Sequence, residues 1–70
     1  MRNWIKVERA KRVMTQEDLG KAIGVSRHAI AAIESGRYEA NVGFALQVAK
    51  LFNKKVEEIF FLNEEDMPAL

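Results

Sequence analysis

The sequence contains no cysteine, one histidine and one proline. Without cysteine the chain has no disulfide and no thiolate to offer a metal, and a single histidine argues against a zinc site. The same scarcity weighs against catalysis, which needs a base, a nucleophile or a metal held together in a pocket. We therefore expect no cofactor and no metal, and an enzyme is the least favoured class of function.

Long hydrophobic runs are absent as well. No stretch approaches the roughly 18 apolar residues that span a bilayer, and the N-terminal residues 1–6 lack the apolar core of a secretion signal. A chain of 70 residues allows one small domain. Such a domain buries only about 60% of its unfolded surface, so we expect marginal stability unless association adds to the core.

A large net charge is also missing, since the total is only +1, but the charges are unevenly distributed. Residues 1–55 have eleven basic and five acidic side chains, a net charge of +6. Residues 56–70 have five acidic side chains and no basic one, a net charge of −5. The gradient is compatible with a polyanion-binding body and an acidic tail with a separate role. An ordinary mixed surface explains it equally well.

The apolar residues recur with a helical period and predict five short helices in one domain. We expect the first helix over residues 3–13 and the fifth around residues 56–60. The other helix ends are marked by residues that favour caps or left-handed backbone. These residues are Thr15, Asp18, Gly24, Ser26, Gly36, Asn41 and Asn53.

Only three residues, Gly24-Val25-Ser26, join the second and third helices. A short glycine-containing turn between two short helices is typical of the DNA-binding helix-turn-helix. In that arrangement the first helix crosses the sugar-phosphate backbone and the second enters the major groove. We expect Val25 to fill the space between the helices, against Leu19 and Ile30. Taken alone the turn is a weak signal, because many helical domains have one.

The longer string over residues 15–38 reads TQEDLGKAIGVSRHAIAAIESGRY. It resembles the lambda-repressor-like (Cro/repressor, Xre) family, whose pattern is T-Q-x-x-L-A-x-x-x-G-V-S-x-x-x-I-x-x-I-E-x-G-x-Y. The resemblance extends over residues 3–62. It implies an all-α, five-helix DNA-binding domain over residues 1–62 with a dimerisation helix at its C-terminal end. Residues 63–70 are acidic and contain Pro68, so we expect them to form a frayed tail.

The resemblance also implies a function. It predicts a sequence-specific transcriptional regulator, most simply a repressor, that acts as a homodimer on a pseudo-palindromic duplex operator in a bacterial or archaeal cytoplasm. No membrane partner and no small-molecule ligand are expected. The main alternative is a protein-interaction module, such as the antitoxin of a toxin–antitoxin pair, that holds its partner on the apolar C-terminal end.

Candidate DNA contacts follow from the resemblance and from the residue types. Arg27 and His28 lie at the start of the third helix, where an arginine can bind guanine through two hydrogen bonds. Ala31 and Ala32 follow one turn later and offer only methyl groups, so Arg27 is expected to contribute most of the base readout. Phosphate contacts are expected from Gln16, Ser26, Arg37 and Tyr38. For Gln16 and Arg37 the alternative is an ordinary solvated side chain.

Two ion pairs are predicted for the first helix. Glu8 and Arg12 are four residues apart, a spacing that brings opposite charges together on a helix. In the family an arginine of the first helix often meets a glutamate at the end of the third. Arg9 and Glu34 match those positions, so the resemblance implies that they pair.

Near the C-terminal end lies a short apolar run, and the resemblance predicts that it forms a dimer surface. Its residues are Ile59, Phe60, Phe61 and Leu62. Residues 60–62 are consecutive and cannot all face one core. The alternative is that Phe61 folds back onto Trp4 as part of a short two-stranded ribbon. The two arrangements are compatible with each other.

Overall fold

The computed structural model describes residues 2–63 and residue 65. Within them the elements follow in the order β1 (Arg2–Asn3), α1 (Ile5–Lys11), α2 (Gln16–Ile23), α3 (Arg27–Glu34), α4 (Val42–Phe52), α5 (Val56–Ile59) and β2 (Phe60–Phe61). The prediction of a five-helix domain with a short terminal ribbon is confirmed. Most of the predicted acidic tail, Glu64 and residues 66–70, lies outside the described residues. Across the part that is described, no helix has the length and apolar character needed to cross a membrane.

Side-chain caps begin the three central helices, as the sequence predicts. Thr15 accepts a hydrogen bond from the Asp18 amide at 2.9 Å, and the Thr15 amide donates to the Asp18 carboxylate at 2.9 Å. Equivalent caps open α3 and α4, where Ser26 and Asn41 each accept from a backbone amide three residues later. Each cap satisfies an amide that the helix itself leaves without an acceptor.

Left-handed residues end two of these helices where the sequence predicts them. Gly24 ends α2 with φ 79° and Asn53 ends α4 with φ 56°. The last helical residue of α3 is Glu34, and Gly36 follows it with φ 81°. Glycine and asparagine accept this backbone region more readily than other residues, so the chain reverses direction at these points.

The first helix is shorter than predicted, Ile5–Lys11 rather than residues 3–13. At its start the chain is extended, because Asn3 pairs with Phe60 in the sheet and the Trp4 amide donates to the Ile59 carbonyl oxygen at 2.8 Å. At its end Val13 is left-handed, with φ 54°. The pairing with β2 therefore delays the start of α1, and the left-handed turn at Val13 ends it early, although the apolar period continues beyond both ends.

The core lies between the helices and is centred on α4. Its buried apolar side chains are Ile5, Leu19, Ile30, Ile33, Phe44, Ala45, Val48, Ala49, Phe52, Ile59 and Phe60. Met14, Ile23 and Val25 are partly buried against this cluster, and Val25 reaches it from the α2–α3 turn as expected. Because the core holds residues of every helix, α3 is fixed relative to all the others.

The terminal ribbon joins the two ends of the described chain. β1 and β2 are antiparallel, with Arg2 opposite Phe61 and Asn3 opposite Phe60. The Trp4 and Phe61 rings lie 5.7 Å apart between centroids, so Phe61 packs on the N-terminal segment. Ile59 is fully buried in the protomer core and Phe60 is only 6% exposed. The prediction that these two side chains form a dimer surface is therefore wrong, since their own protomer covers them.

A buried carboxylate joins α1 to the end of α4. Glu8 is 4% exposed, and its carboxylate lies 2.8 Å from Arg12 Nη1, 3.3 Å from Lys11 Nζ and 3.8 Å from Lys54 Nζ. The predicted Glu8–Arg12 pair is present. The hydrogen bond from Arg12, helped by the two lysines, holds the pKa of Glu8 below its ordinary value of 4.5 against the opposing effect of burial. Arg12 also donates to the Phe52 carbonyl oxygen at 2.7 Å, which anchors α1 on α4.

Candidate nucleic-acid interface

Helices α2 and α3 lie against each other through a close turn. The Val25 amide donates to the Gly20 carbonyl oxygen at 2.9 Å. A Cβ atom on Gly20 would lie 2.5 Å from the Val25 carbonyl oxygen, closer than real Cβ contacts come. Gly20 stands where the family pattern has alanine, and here its missing side chain lets the turn approach α2 this closely. This close α2–α3 turn also places the start of α3 at the surface.

One face of α3 is buried and the other is open to solvent. Arg27 and His28 are exposed in its first turn, and Ala31 is half-buried one turn later. On the opposite side Ile30 and Ile33 belong to the core. Three of the four predicted base-contacting residues, Arg27, His28 and Ala31, therefore lie together on the outer side of α3.

The fourth predicted base contact, Ala32, is placed differently. Ala32 is 2% exposed, so the prediction that it meets a base is wrong. It lies on the buried side of α3, and the segment after the helix folds back against it. The amides of Arg37 and Tyr38 donate to the Ala32 carbonyl oxygen at 2.9 Å and 3.1 Å. The periodicity of α3 alone does not show that this returning segment covers the residue.

The end of α3 is held by a largely buried ion pair. Arg9 Nε and Nη2 donate to the two carboxylate oxygens of Glu34 at 2.6 Å and 3.0 Å, which is the forked geometry that strengthens such pairs. Arg9 Nη1 donates to the Met14 carbonyl oxygen at 2.8 Å. The hydrogen bond to Glu34 raises the pKa of Arg9 above its ordinary value. The structure thus brings together α1, the α1–α2 turn and α3 around one carboxylate.

Gln16 joins the same group, which the sequence pattern does not predict. Its Nε2 donates to Glu34 Oε1 at 3.1 Å. This bond uses one of the two N–H groups of the amide and leaves the second for another acceptor. Gln16 is also the first residue of α2, next to backbone amides at the helix start. Its position is thus set by Glu34 on α3 as well as by α2.

The remaining predicted phosphate ligands surround α3 at both ends. Ser26 is exposed at the start of the helix, where its hydroxyl oxygen accepts from the Ala29 amide at 3.1 Å while its own O–H can still donate. Arg37 and Tyr38 are exposed just after its end. Donors therefore stand on either side of the open face that bears Arg27.

Pairing with carboxylates divides the basic residues into two groups. Arg9, Lys11, Arg12, Lys21 and Lys54 each have an acidic partner. Within residues 2–63 and 65, the basic side chains without a carboxylate partner are Arg2, Lys6, Arg27, Arg37, Lys50 and Lys55. Arg27 and Arg37 belong to α3 and its C-terminal extension, and Arg2 and Lys6 line the surface beside it. Most of the uncompensated positive charge is therefore near α3.

The amino-acid sequence matches a known protein family and several named proteins. A family model described as helix-turn-helix matches residues 5–59. An HTH-type transcriptional regulator of Archaeoglobus fulgidus is 45% identical over 96% of this chain and 94% of its own length. Others are 44% identical in Methanocaldococcus jannaschii and 42% identical in Bacillus subtilis, each covering 94% of this chain and 100% of the relative. Similarity therefore extends over nearly the whole chain and over 94–100% of these relatives.

Proposed function

The chain belongs to the helix-turn-helix family, and we propose that it is a DNA-binding transcriptional regulator, acting as a homodimer with α3 in the major groove. The observation that supports this most directly is the open face of α3, with Arg27, His28 and Ala31 outward and Ile30 and Ile33 in the core. Relatives of the same length are named transcriptional regulators, and the family is not one of enzymes. Its place of action is then the cytoplasm, with the DNA.

In this proposal Arg27 reads the sequence. Its guanidinium is exposed at the start of α3, the part of a recognition helix that contacts base edges. A guanidinium can donate two parallel hydrogen bonds to the O6 and N7 atoms of guanine. His28 adds one more polar group, and Ala31 offers a methyl that suits a thymine methyl. Readout then depends on few side chains, with Arg27 foremost.

The phosphate contacts position α3 in the groove. Gln16 contributes its second amide N–H and the backbone amides at the start of α2. Ser26 contributes its hydroxyl at the start of α3, and Arg37 and Tyr38 contribute donors beyond its end. Such contacts fix register and orientation without specifying sequence.

The dimer is proposed to form through the exposed part of the terminal ribbon. Leu62 is 54% exposed and directly follows β2, where the half-buried Phe61 packs against the exposed Trp4. Covering them would add burial to a domain too small to bury much by itself. A two-fold dimer presents two copies of α3 to major grooves about one helical turn, or 34 Å, apart. The matching operator is pseudo-palindromic.

Selection from a random duplex pool, followed by a salt titration, tests the proposal. A regulator selects a two-fold-related site and binds it at least about a thousandfold more tightly than random duplex at the same salt concentration. Affinity for both falls steeply as salt rises, because phosphate contacts release counterions. Transcription from a promoter that overlaps the site should fall when the protein is added if it is a repressor. Absence of salt-sensitive binding to any duplex would exclude the proposal and favour the protein-interaction alternative.

A further inference from the structure

Two neighbouring hollows lie beside the C-terminal half of α3. Each has a volume of about 230 Å³. The residues that line the first are Lys6, Gln16, Ala31, Glu34 and Ser35. The residues that line the second are Arg2, Asn3, Glu34, Ser35 and Gly36. Because the hollows share Glu34 and Ser35, we describe them together as the α3 trough.

The electrostatics of the α3 trough favour an anion. Its one carboxylate among the described residues, Glu34, already accepts from Arg9 and Gln16 and so is compensated. Lys6 is exposed and has no carboxylate partner within residues 2–63 and 65. The Arg2 guanidinium lies 5.6 Å from the centre of the Phe61 ring, an arrangement that leaves its charge intact. Two cations without a carboxylate partner among residues 2–63 and 65 therefore border the trough.

The ribbon positions Arg2, and α1 positions Lys6. Asn3 Nδ2 donates to the Ile33 carbonyl oxygen at 2.9 Å, which ties β1 to the end of α3. Arg2 is fixed by its pairing opposite Phe61, and Lys6 directly follows the fully buried Ile5. The backbone that carries the two cations is thus paired in a strand at Arg2 and helical at Lys6.

The trough also lies on the side of the molecule that faces DNA in the proposed function. Ala31, a candidate base contact, and Gln16, a candidate phosphate ligand, line its first hollow together with Lys6. A strand whose phosphate meets Gln16 therefore passes next to Lys6. Continuing along the trough, the strand then passes Ser35 and reaches Arg2.

We propose that the α3 trough binds consecutive phosphates of the DNA strand beside the bases that α3 contacts, with Lys6 and Arg2 as the cationic ligands. The inference rests on the proposed function and extends it to residues that neither the sequence pattern nor the relatives' names assign. These contacts supply affinity without sequence information, so they affect all duplexes alike.

Salt titrations of Lys6→Ala and Arg2→Ala on the selected duplex test the inference. The slope of log affinity against log salt becomes shallower by about 0.9 for each phosphate that the variant no longer neutralises, and by twice that for a dimer. Lys6→Arg keeps the charge and should retain the wild-type slope. Lys50→Ala is the matched control, since Lys50 is an exposed lysine that lines a hollow formed by α4, α5 and the residues between them. Its slope should equal that of the wild type.

Phosphate ethylation interference tests whether the anion bound in the α3 trough is a phosphate of DNA or a free anion. If the trough holds DNA, ethylation of particular phosphates weakens wild-type binding and has no further effect on Lys6→Ala. An unchanged interference pattern in Lys6→Ala would mean that the trough takes only free anions, and it would overturn the inference. A wild-type slope in both alanine variants, or an equally shallow slope in Lys50→Ala, would overturn it too. Failure of the proposed function looks different, because then the wild-type protein binds no duplex in a salt-sensitive way.

Discussion

Arg27 and Arg37 are both exposed arginines without a carboxylate partner in the described part of the chain, but they stand at opposite ends of α3. A base contact and a phosphate contact differ in what their removal does to specificity. The two arginines therefore form a matched pair in which residue type is constant and position varies.

Replacing each arginine by alanine should separate the two roles. Arg27→Ala should cost about 1–3 kcal/mol on the selected duplex and much less on random duplex, because two hydrogen bonds to guanine are removed. Arg37→Ala should weaken both duplexes alike and make the salt slope shallower by about 0.9 per protomer. Fluorescence anisotropy at several salt concentrations measures both quantities. Equal weakening by both variants on both duplexes would contradict the assignment of Arg27 to a base.

Glu8 is the residue whose titration should matter for stability. Its pKa is below 4.5 in the folded protein, chiefly through the hydrogen bond from Arg12, so its carboxylate favours folding wherever it is ionised. This contribution is complete above the unfolded value of about 4.5 and disappears as the pH falls through the lower folded value. Stability should therefore fall most steeply between the unfolded value of about 4.5 and the lower folded value.

Glu8→Gln should remove that dependence. We expect it to lower the free energy of unfolding at neutral pH by about 1.5–3 kcal/mol, the usual value of hydrogen bonds to charged groups. Below pH 4.5 its stability should fall less steeply than that of the wild type. Asp18→Asn is the comparison variant. The pKa of Asp18 is also lowered, by hydrogen bonds from Thr15, but Asp18 lies at an exposed helix cap whereas Glu8 is buried. Thermal unfolding across the acid range gives both curves, and parallel curves for wild type and Glu8→Gln would disprove the role of Glu8.

Among the elements, α2, α3 and α4 could be located from sequence because their ends are set locally. Thr15 with Asp18, Ser26 and Asn41 act on amides three residues away, and Gly24 needs no neighbour to accept its backbone conformation. Such short-range chemistry is visible in the sequence itself. The same applies to the Glu8–Arg12 pair, whose spacing follows from the helix.

The sequence predictions that were wrong or missing concern contacts made outside the helix in question. The start of α1 is decided by pairing with β2 at the other end of the chain, and the burial of Ala32 depends on the segment that folds back after α3. The resemblance assigns Ile59 and Phe60 to a dimer surface, whereas the protomer core buries them. Gln16 meets Glu34 only when α2 and α3 are packed. In each case the deciding contact lies outside the helix concerned.

Two glycines at helix ends should respond in opposite ways to the same substitution. A Cβ at Gly43 would lie 3.4 Å from Asn41 Oδ1, an ordinary contact, so Gly43→Ala should raise the free energy of unfolding by about 0.4–1 kcal/mol. Gly24 has open space around it but a φ of 79°, so Gly24→Ala should lower the free energy of unfolding by about 1–2 kcal/mol. Urea unfolding measures both. A stabilised Gly24→Ala would show that α2 does not need its left-handed end.

At the scale of the whole molecule, the exposed apolar residues at and next to the ribbon should control association. Leu62→Asp places a charge on the proposed dimer surface and should shift the protein toward monomer at tens of micromolar, as measured by sedimentation velocity. Val13→Asp is the control, because Val13 is 90% exposed in the turn after α1, away from the ribbon. A wild-type protein that sediments as a monomer, or a Leu62→Asp variant that remains dimeric, would contradict the proposed surface.

The pairing of Arg2 with Phe61 also has a kinetic consequence. This pairing closes almost the entire described chain into a loop, so forming it costs the conformational entropy of closing a long loop. The α2–α3 turn, in contrast, forms between residues that are close in sequence. We therefore expect the ribbon to close late in folding and to open early under native conditions. Each opening would free Asn3 from the end of α3 and release Arg2 from its fixed position. The amide of Trp4, which donates to Ile59 across this closure, should exchange its hydrogen sooner than the core amides of α4.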